Sequence, residues 1–188
     1  MDFSEVADQV KGPINCGPSG GIAAARVAFK ALTLPSHPVD EGGFRPLHVI
    51  LPPGKFLSAG PPAALGLWSI PLPTVIDTVL AAFAAAVPDK IPAAHKGEMG
   101  GFALYGTDEA TGRRFVCLNM MGGGWGGRPA GDGPSGAVSI CQGDVRNTPI
   151  ELLESRYPLF FERFSLRTDS GGAGRFRGGL GVELSVRP

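Results

Sequence analysis

The chain has 188 residues, and its 17 basic and 17 acidic side chains leave a formal net charge of zero at pH 7. Neither sign forms a run, so the charge pattern argues against nucleic acid or an anionic membrane as a partner. The length is enough to build a substantial hydrophobic core, and we expect a single domain over residues 1–188.

Cysteine usage and the apolar pattern indicate the compartment. The three cysteines, Cys16, Cys117 and Cys141, contain no C-x-x-C pair, which argues against a disulfide framework or a zinc site. The N-terminus is polar and acidic, unlike a signal peptide. The most apolar window, residues 74–87, is too short to span a bilayer. These features predict a soluble protein of the reducing cytoplasm.

The first predicted helix follows a turn cluster rich in glycine and proline. Ser19 is placed at its N-cap, and an apolar stripe at helical spacing continues until Pro35. Asn15 and Cys16 precede the helix and could form a reactive pair. A lone cysteine beside glycine and proline is more often a packed small hydrophobe. Residues 38–44 predict a turn whose two adjacent carboxylates do not form a catalytic pair.

A strand and a second helix are predicted next. Residues 45–51 alternate as a strand would, and His48 within them is expected to be structural. Trp68 is the bulky anchor of the proline-rich loop that follows. The second helix is predicted to start with Thr74 at its N-cap and Asp77 three residues further on, as a capping pair.

The polar segment after this helix brings three titratable residues together in sequence. His95, Lys96 and Glu98 lie within four positions beside a glycine pair. A histidine and a glutamate in one loop could converge on a ligand as general acid and base. The alternative, a solvated polar loop, is favoured by the residue types alone.

The second half predicts mostly strands. Residues 102–105 and 114–121 are typical of a β-hairpin, and strands are predicted at 136–142, 159–167 and 182–186. Thr148, Pro149 and Glu151 predict a short helix with threonine at the N-cap. The predicted fold class is therefore α+β, with a mixed β-sheet, a few packed helices and long glycine-rich loops.

The stretch from residue 114 to residue 136 has the most unusual composition. A strand-like run passes into a glycine-rich loop that contains one aromatic residue, Trp125, one cation, Arg128, and one carboxylate, Asp132. Glycine loses much backbone entropy on folding, so a glycine-dense loop indicates positive φ or close approach of another group. Two interpretations are open: a ligand- or partner-binding loop, and a set of tight turns between strands.

Common catalytic motifs are not present in the sequence. Gly122, Gly124 and Gly127 have dinucleotide-binding spacing after a strand, but residues 128–131 (RPAG) cannot open the helix that would hold a pyrophosphate. No phosphate loop, H-E-x-x-H or G-x-S-x-G pattern occurs. The sequence therefore assigns no catalytic residue and no metal ligand.

Five motifs in order resemble the hydantoinase B/5-oxoprolinase family, and the similarity covers nearly the whole chain. Members are the B-type subunits or halves of N-methylhydantoinase, ATP-dependent 5-oxoprolinase and, more distantly, acetone and acetophenone carboxylases. The motifs are GPINC (12–16), EGGFRPLHVI (41–50), GGGWGGRPAGDGPSG (122–136), RNTPIELLESRYPL (146–159) and RTDSGGAGRFRGGLGVE (167–183).

This resemblance implies a part in an ATP-dependent cyclic-amide hydrolase. In such a system an A-type subunit phosphorylates the substrate, and the B-type subunit works on the activated intermediate. The expected partners are that A-type subunit, an N-terminal B segment that family members carry ahead of this region, and a small-molecule substrate. No cofactor is expected on this chain alone; ATP and a divalent metal are expected in the partner chains or that segment.

The resemblance also makes the first glycine loop the expected substrate site. Its main-chain N–H groups beside Arg128 are predicted to receive an anionic acyl-phosphate or carboxylate, with Asp132 orienting the arginine. The predicted substrate-binding residues are Gly122, Gly123, Gly124, Arg128, Asp132, Arg146 and Asn147.

Two stretches depart from the commoner pattern of the family. Residues 67–74 and 99–101 carry apolar residues or glycine where many relatives have polar groups, which argues against hydantoin or oxoproline itself as the substrate. Three alternatives stay open: a non-catalytic structural or assembly subunit, a B-type subunit of an ATP-dependent ketone carboxylase, and a free-standing small-molecule binding module.

Overall fold

Helices dominate the first half of the chain and β-hairpins the second, in a computed structural model that describes residues 1–67, 69–143 and 145–188. The described residues fall into two compact units, Met1–Glu98 and Met99–Pro188. The single domain over residues 1–188 stays a prediction. The proposed anchor, Trp68, lies outside the described residues.

The helices are short except for the first. Among the described residues the α-helices are α1 (Pro18–Thr33), α2 (Glu41–Phe44), α3 (Pro71–Ala82) and α4 (Ile150–Arg156), with a 3-10 turn at Pro88–Lys90. The strands are β1 (Gly101–Thr107), β2 (Arg114–Met120), β3 (Phe160–Leu166) and β4 (Val182–Arg187). Antiparallel pairing joins β1 to β2 and β3 to β4. The predicted α+β class is confirmed, with two antiparallel pairs in place of one mixed sheet.

The first unit is built on packing between α1 and α3. Helix α1 is rich in alanine, the best helix former, and it buries the small face formed by Gly21, Ala24, Ala25 and Ala28. Helix α3 covers that face with larger side chains, including Ile76, which is fully buried. Small residues on one helix let the other approach closely, so the buried stripe of α1 is its alanines and not the larger residues at 22 and 29.

Both predicted N-caps in this unit are wrong because proline starts each helix. Gly17 is the N-cap of α1 and Ile70 that of α3, and neither side chain caps. Proline suits the first turn, where its missing N–H would have no intrahelical partner. The hydroxyl of Thr74 instead donates to the Gly97 carbonyl at 2.6 Å.

The turn predicted at residues 38–44 is a short helix. Asp40 Oδ1 accepts the Gly43 N–H at 2.7 Å as the N-cap of α2. Glu41 forms a two-pronged salt bridge with Arg26 at 2.8 and 3.0 Å. The two adjacent carboxylates therefore have separate structural roles, as expected for side chains that point in different directions.

The second unit packs its hairpins and α4 around one cluster. Cys117, Leu153, Leu159 and Phe161 are buried at its centre, and the rings of Phe102 and Phe161 pack at a tilt of 58° with centroids 6.5 Å apart. The predicted hairpin and the strands near 159–167 and 182–186 are confirmed. Thr148 is not the cap of α4, whose N-cap is Pro149; the Thr148 hydroxyl bonds Asn119 Oδ1 at 3.3 Å.

Two predicted strands do not form. Residues 45–51 begin with Arg45 in the helical conformation that ends α2, and they contribute only a single bridge, between Asp2 and Ile50. Residues 136–142 contribute only the bridge between Ala137 and Gly123 before a turn closes from Gln142 N–H to Ser139 O at 2.9 Å. Alternation of apolar residues marked both segments, but neither has a neighbouring strand to complete a ladder.

Candidate functional site

The two glycine loops of the second unit are packed against each other through their main chains. A Cβ added to Gly124 would lie 1.9 Å from the carbonyl oxygen of Gly179, and one added to Gly179 would lie 1.9 Å from that of Pro134. A Cβ added to Gly122 would lie 2.0 Å from the carbonyl oxygen of Gly136. Only glycine allows backbones to approach this closely, so these residues are required by packing.

Hydrogen bonds tie the same segments together. The N–H groups of Gly123 and Trp125 donate to the carbonyls of Ala137 and Pro134, at 2.8 and 3.0 Å. The second loop joins them, because Gly179 N–H donates to Trp125 O at 2.8 Å. Of the three glycines predicted to bind substrate, Gly123 therefore already uses its N–H within the protein. Fewer N–H groups of this loop are therefore available to a ligand than the sequence predicted.

The structure places Arg128 and Asp132 together, by a different contact from the one expected. Arg128 Nε donates to the main-chain carbonyl of Asp132 at 3.2 Å. The Asp132 carboxylate turns to the second loop, where its Oδ1 accepts the Arg177 N–H at 2.7 Å. Arg128 is exposed at the surface. Asp132 thus joins the two loops, while its carbonyl holds the arginine beside them.

Asn147 lies on a small hollow next to the first glycine loop. The hollow has a volume of about 260 Å³ and is lined by Asn147, Ser135, Gly136 and parts of β3 and β4. Arg146 precedes Asn147 on an exposed segment. One end of the loop and one predicted polar residue therefore share a concave surface, but Arg128 and Gly122–Gly124 are not part of its lining.

A buried His–Asp pair lies in the first unit and was not predicted. His95 Nδ1 is 2.5 Å from Asp77 Oδ2, which also accepts the His95 main-chain N–H at 3.1 Å. The side chains are 2% and 15% exposed, respectively. The pair fastens the segment after the 3-10 turn to α3. The favoured interpretation of a solvated loop is therefore wrong for His95, and Lys96 is also largely buried, with its side chain 10% exposed.

An apolar pocket lies on α3 in the same unit. Its volume is about 400 Å³, and Phe3, Phe56 and Val75 contribute to its walls. Thr74 and Thr78 supply the hydroxyl groups at its surface, and each hydroxyl donates to a main-chain carbonyl, at 2.6 and 2.7 Å. The size suits a small molecule, yet the lining offers few polar groups to orient one.

Asn15 and Cys16 form a structural element. Asn15 is fully buried; its Oδ1 accepts the Val10 N–H at 2.8 Å, and its Nδ2 donates to the carbonyls of Val10, Gly12 and Ala64. These bonds fix the turn that leads into α1. Cys16 is fully buried beneath that helix. The packed-hydrophobe interpretation of Cys16 is thus favoured over a reactive pair.

We expect Cys16 to resist alkylation. Burial raises the pKa of its thiol to about 11, so almost no thiolate, the reactive form, is present at pH 8. Cys141 is partly exposed and should react first. Iodoacetamide labelling of the native protein at pH 8, read by peptide mass spectrometry, checks the order. Labelling of Cys16 at the rate of Cys141 would contradict the buried position.

The described residues hold neither a candidate metal cluster nor a candidate membrane-spanning helix. Within residues 1–67, 69–143 and 145–188, no three His, Cys, Asp or Glu side chains are grouped so that they could hold a metal ion. No helix in the described part of the chain is both long and apolar enough to cross a membrane.

Comparison with known proteins identifies the family. The model of the hydantoinase B/oxoprolinase family matches residues 1–188. The chain therefore belongs to this family, as its five motifs predicted.

Individual relatives extend over much more sequence. An uncharacterised protein of Methanocaldococcus jannaschii is 34% identical over 97% of this chain and 31% of its own length. The caprolactamase subunit beta of Pseudomonas jessenii is 36% identical over 80% of this chain and 27% of its own. The crystal structure of the ATP-dependent caprolactamase from that organism matches with a TM-score of 0.84 and 32% identity, over 98% of this chain and 33% of the other. The chain thus spans about a third of the length of these proteins.

Proposed function

We propose that this chain is part of the B-type component of an ATP-dependent cyclic-amide hydrolase. The observation that carries the proposal is the match to the ATP-dependent caprolactamase over 98% of the chain at 32% identity and a TM-score of 0.84. The matched region includes both glycine loops and the hollow beside Asn147, so the surfaces considered as a substrate site lie within shared structure.

The partners and cofactors follow from the family resemblance. We infer that an A-type subunit supplies ATP-dependent activation and that a further B-type segment completes the component. ATP and a divalent metal are assigned to those polypeptides. A reducing cytoplasm is the proposed compartment, supported by three cysteines of which none forms a disulfide in the structure.

The proposed substrate surface is the rim of the first glycine loop. Arg128 is exposed, and its Nε donates to the Asp132 carbonyl. The terminal nitrogens of its guanidinium can therefore bind a carboxylate or acyl-phosphate through charge-assisted hydrogen bonds. Arg146, Asn147 and the glycines Gly122–Gly124 are retained in this proposal. The main role of these glycines is to fix the path of the loop through their close main-chain contacts, and donation of N–H groups to a substrate is secondary.

Replacing Arg128 with alanine should abolish coupled turnover and leave the fold intact. The exposed side chain makes one hydrogen bond to a carbonyl, so we expect the thermal midpoint to change little. Loss of a cation that binds the developing anion costs on the order of 100-fold or more in rate. Arg113→Ala, an exposed arginine of the β1–β2 turn, is the control. Unchanged turnover in Arg128→Ala would remove the loop from the mechanism.

A second candidate function is a purely structural or assembly subunit. The contacts at Gly124 and Gly179 favour it, because packing explains these glycines without any ligand. A B-type subunit of a ketone carboxylase is the remaining alternative within the family.

Reconstitution separates these candidates. The chain is combined with the other polypeptides of the P. jessenii caprolactamase and with a deletion variant of its beta subunit from which the matched region has been removed. Ring opening of caprolactam is then followed with ATP. ATP-dependent hydrolysis that is lost in Arg128→Ala supports the hydrolase. Hydrolysis that is restored equally by Arg128→Ala supports an assembly role. In a parallel reaction with a ketone and bicarbonate in place of caprolactam, carboxylation of the ketone would assign the chain to the carboxylases.

A further inference from the structure

The β1–β2 hairpin is apolar over most of both faces. Its inner face, with Phe102, Leu104, Phe115 and Cys117, belongs to the core cluster of the second unit. The middle of the outer face is formed by two opposed apolar pairs, Ala103 with Leu118 and Tyr105 with Val116, and the pair of Thr107 with Arg114 lies at its end. Tyr105, Leu118 and Val116 are 81%, 72% and 63% exposed. A sheet with one solvated face normally places polar residues there, so this face has the composition of a buried one.

The outward main-chain groups of β1 are also open. Asp108 N–H donates to Arg113 O at 2.9 Å, and Met121 N–H donates to Gly100 O at 3.4 Å. In an antiparallel ladder only alternate pairs exchange hydrogen bonds. These two bonds show that the even-numbered residues of β1 are the ones bonded to β2. The N–H and C=O groups of Ala103 and Tyr105 therefore point away from β2. No further strand pairs with β1 among the described residues.

A groove runs along the β1 side of the hairpin. It has a volume of about 660 Å³, and consecutive residues of β1 and its turn, Leu104–Ala110, line it together with Phe115. Its opposite wall includes Leu159 and Val186. The groove therefore offers apolar pockets directly beside the open edge of β1, which is the arrangement used when an extended peptide adds a strand to a sheet.

The edge carries none of the usual protection against pairing. Natural proteins protect such edges with charged residues, proline or a bulge, whereas β1 has alanine, leucine and tyrosine in regular pairing. A two-stranded hairpin is also marginal unless more strands or another element cover it. Both the exposed face and the open edge thus call for a further polypeptide.

We propose that a segment from the part of the B-type component outside the region matched by this chain docks on the hairpin, with one strand pairing to the edge of β1 and adjoining residues covering the outer face. This inference rests on the proposed function. The length of that part supports it, since the matched region is only 31% and 33% of two of the relatives described above. The chemistry also fits, because the two central pairs, Ala103 with Leu118 and Tyr105 with Val116, contain no charge and would accept apolar side chains.

Binding to a defined probe tests the inference. The probe is the P. jessenii caprolactamase subunit beta without its matched region, purified with its remaining partners and mixed with the intact chain in the absence of ATP and lactam. Isothermal titration and light scattering after gel filtration should show a one-to-one complex. Leu118→Arg should weaken this binding at least about tenfold, because an arginine cannot be buried unpaired against an apolar strand.

Two matched variants keep the test specific. Val39→Arg changes a valine of the first unit that is as exposed as Leu118, at 72%, and should bind like the unaltered chain. Ala103→Pro removes an N–H that points away from β2, so the hairpin ladder stays intact while the added strand loses a donor. It should also weaken binding, and circular dichroism with a thermal melt confirms that each variant is folded.

Three outcomes would overturn the inference. They are the absence of a complex, equal affinity of Leu118→Arg and Val39→Arg, and a homodimer of the chain that Leu118→Arg dissociates, which would assign the face to a second copy. Turnover is measured separately. A complex that forms but hydrolyses no lactam would leave the docking surface standing and defeat the proposed hydrolase activity.

Discussion

Replacing Gly124 with alanine should destabilise the second unit by about 3 kcal/mol or more, a large part of the stability of a unit this size. The added Cβ would lie 1.9 Å from the Gly179 carbonyl oxygen, far inside van der Waals contact. The obstacle is main chain, which cannot rotate away, so the two loops must separate. Thermal or urea unfolding of the purified variant, followed by circular dichroism, measures the loss.

Gly172→Ala is the matched control for this prediction. Gly172 lies in the second glycine loop, and a Cβ added there would have no atom within 4 Å. We expect its stability to change by less than about 1 kcal/mol. If Gly124→Ala were as stable as Gly172→Ala, the two loops would not be packed against each other as described.

Replacing Asp77 with alanine should destabilise the first unit by about 2–4 kcal/mol. The change removes the acceptor of two hydrogen bonds from His95, at 2.5 and 3.1 Å, in a site where the histidine side chain is 2% exposed. Burial without that acceptor is costly, so the segment after the 3-10 turn should detach from α3. Urea unfolding, with hydrogen exchange at residues 91–98, measures both effects.

Two controls accompany the Asp77 variant. Asp77→Asn keeps an acceptor oxygen at the same place and should lose less stability than Asp77→Ala. Asp89→Ala changes an exposed aspartate of the 3-10 turn and should be nearly neutral. An equal loss of unfolding free energy in Asp89→Ala and Asp77→Ala would show that the contact with His95 does not stabilise the unit.

Local patterns predicted the elements whose signals were also local. The β1–β2 hairpin followed from two apolar runs around a short polar turn, and α1 from an apolar stripe at helical spacing that ends before Pro35. Strand prediction failed at 45–51 because alternation describes a half-buried surface and does not supply a partner. At 136–142 the chain is instead committed to the glycine loop, where Trp125 Nε1 donates to Val138 O at 2.7 Å.

The candidate site was predicted less completely than the fold. Composition identified the first glycine loop, but the partners of Gly124 and Gly127 come from residues 176–180, about fifty positions later, and no local pattern contains them. The Asp77–His95 pair joins residues 18 positions apart across a helix end and a proline-rich turn. The sequence pattern predicted that Asp77 caps a helix, so its role as the acceptor for His95 was not predicted.

Lactam-dependent ADP release tests the proposed function most directly. The A-type subunit, the remaining B-type polypeptide and this chain are mixed with ATP, and ADP and the ring-opened amino acid are quantified with and without a cyclic amide. Both products should form in equal amounts only when all components are present, and Arg128→Ala should abolish them. Equal product formation when this chain is left out would contradict its place in the enzyme.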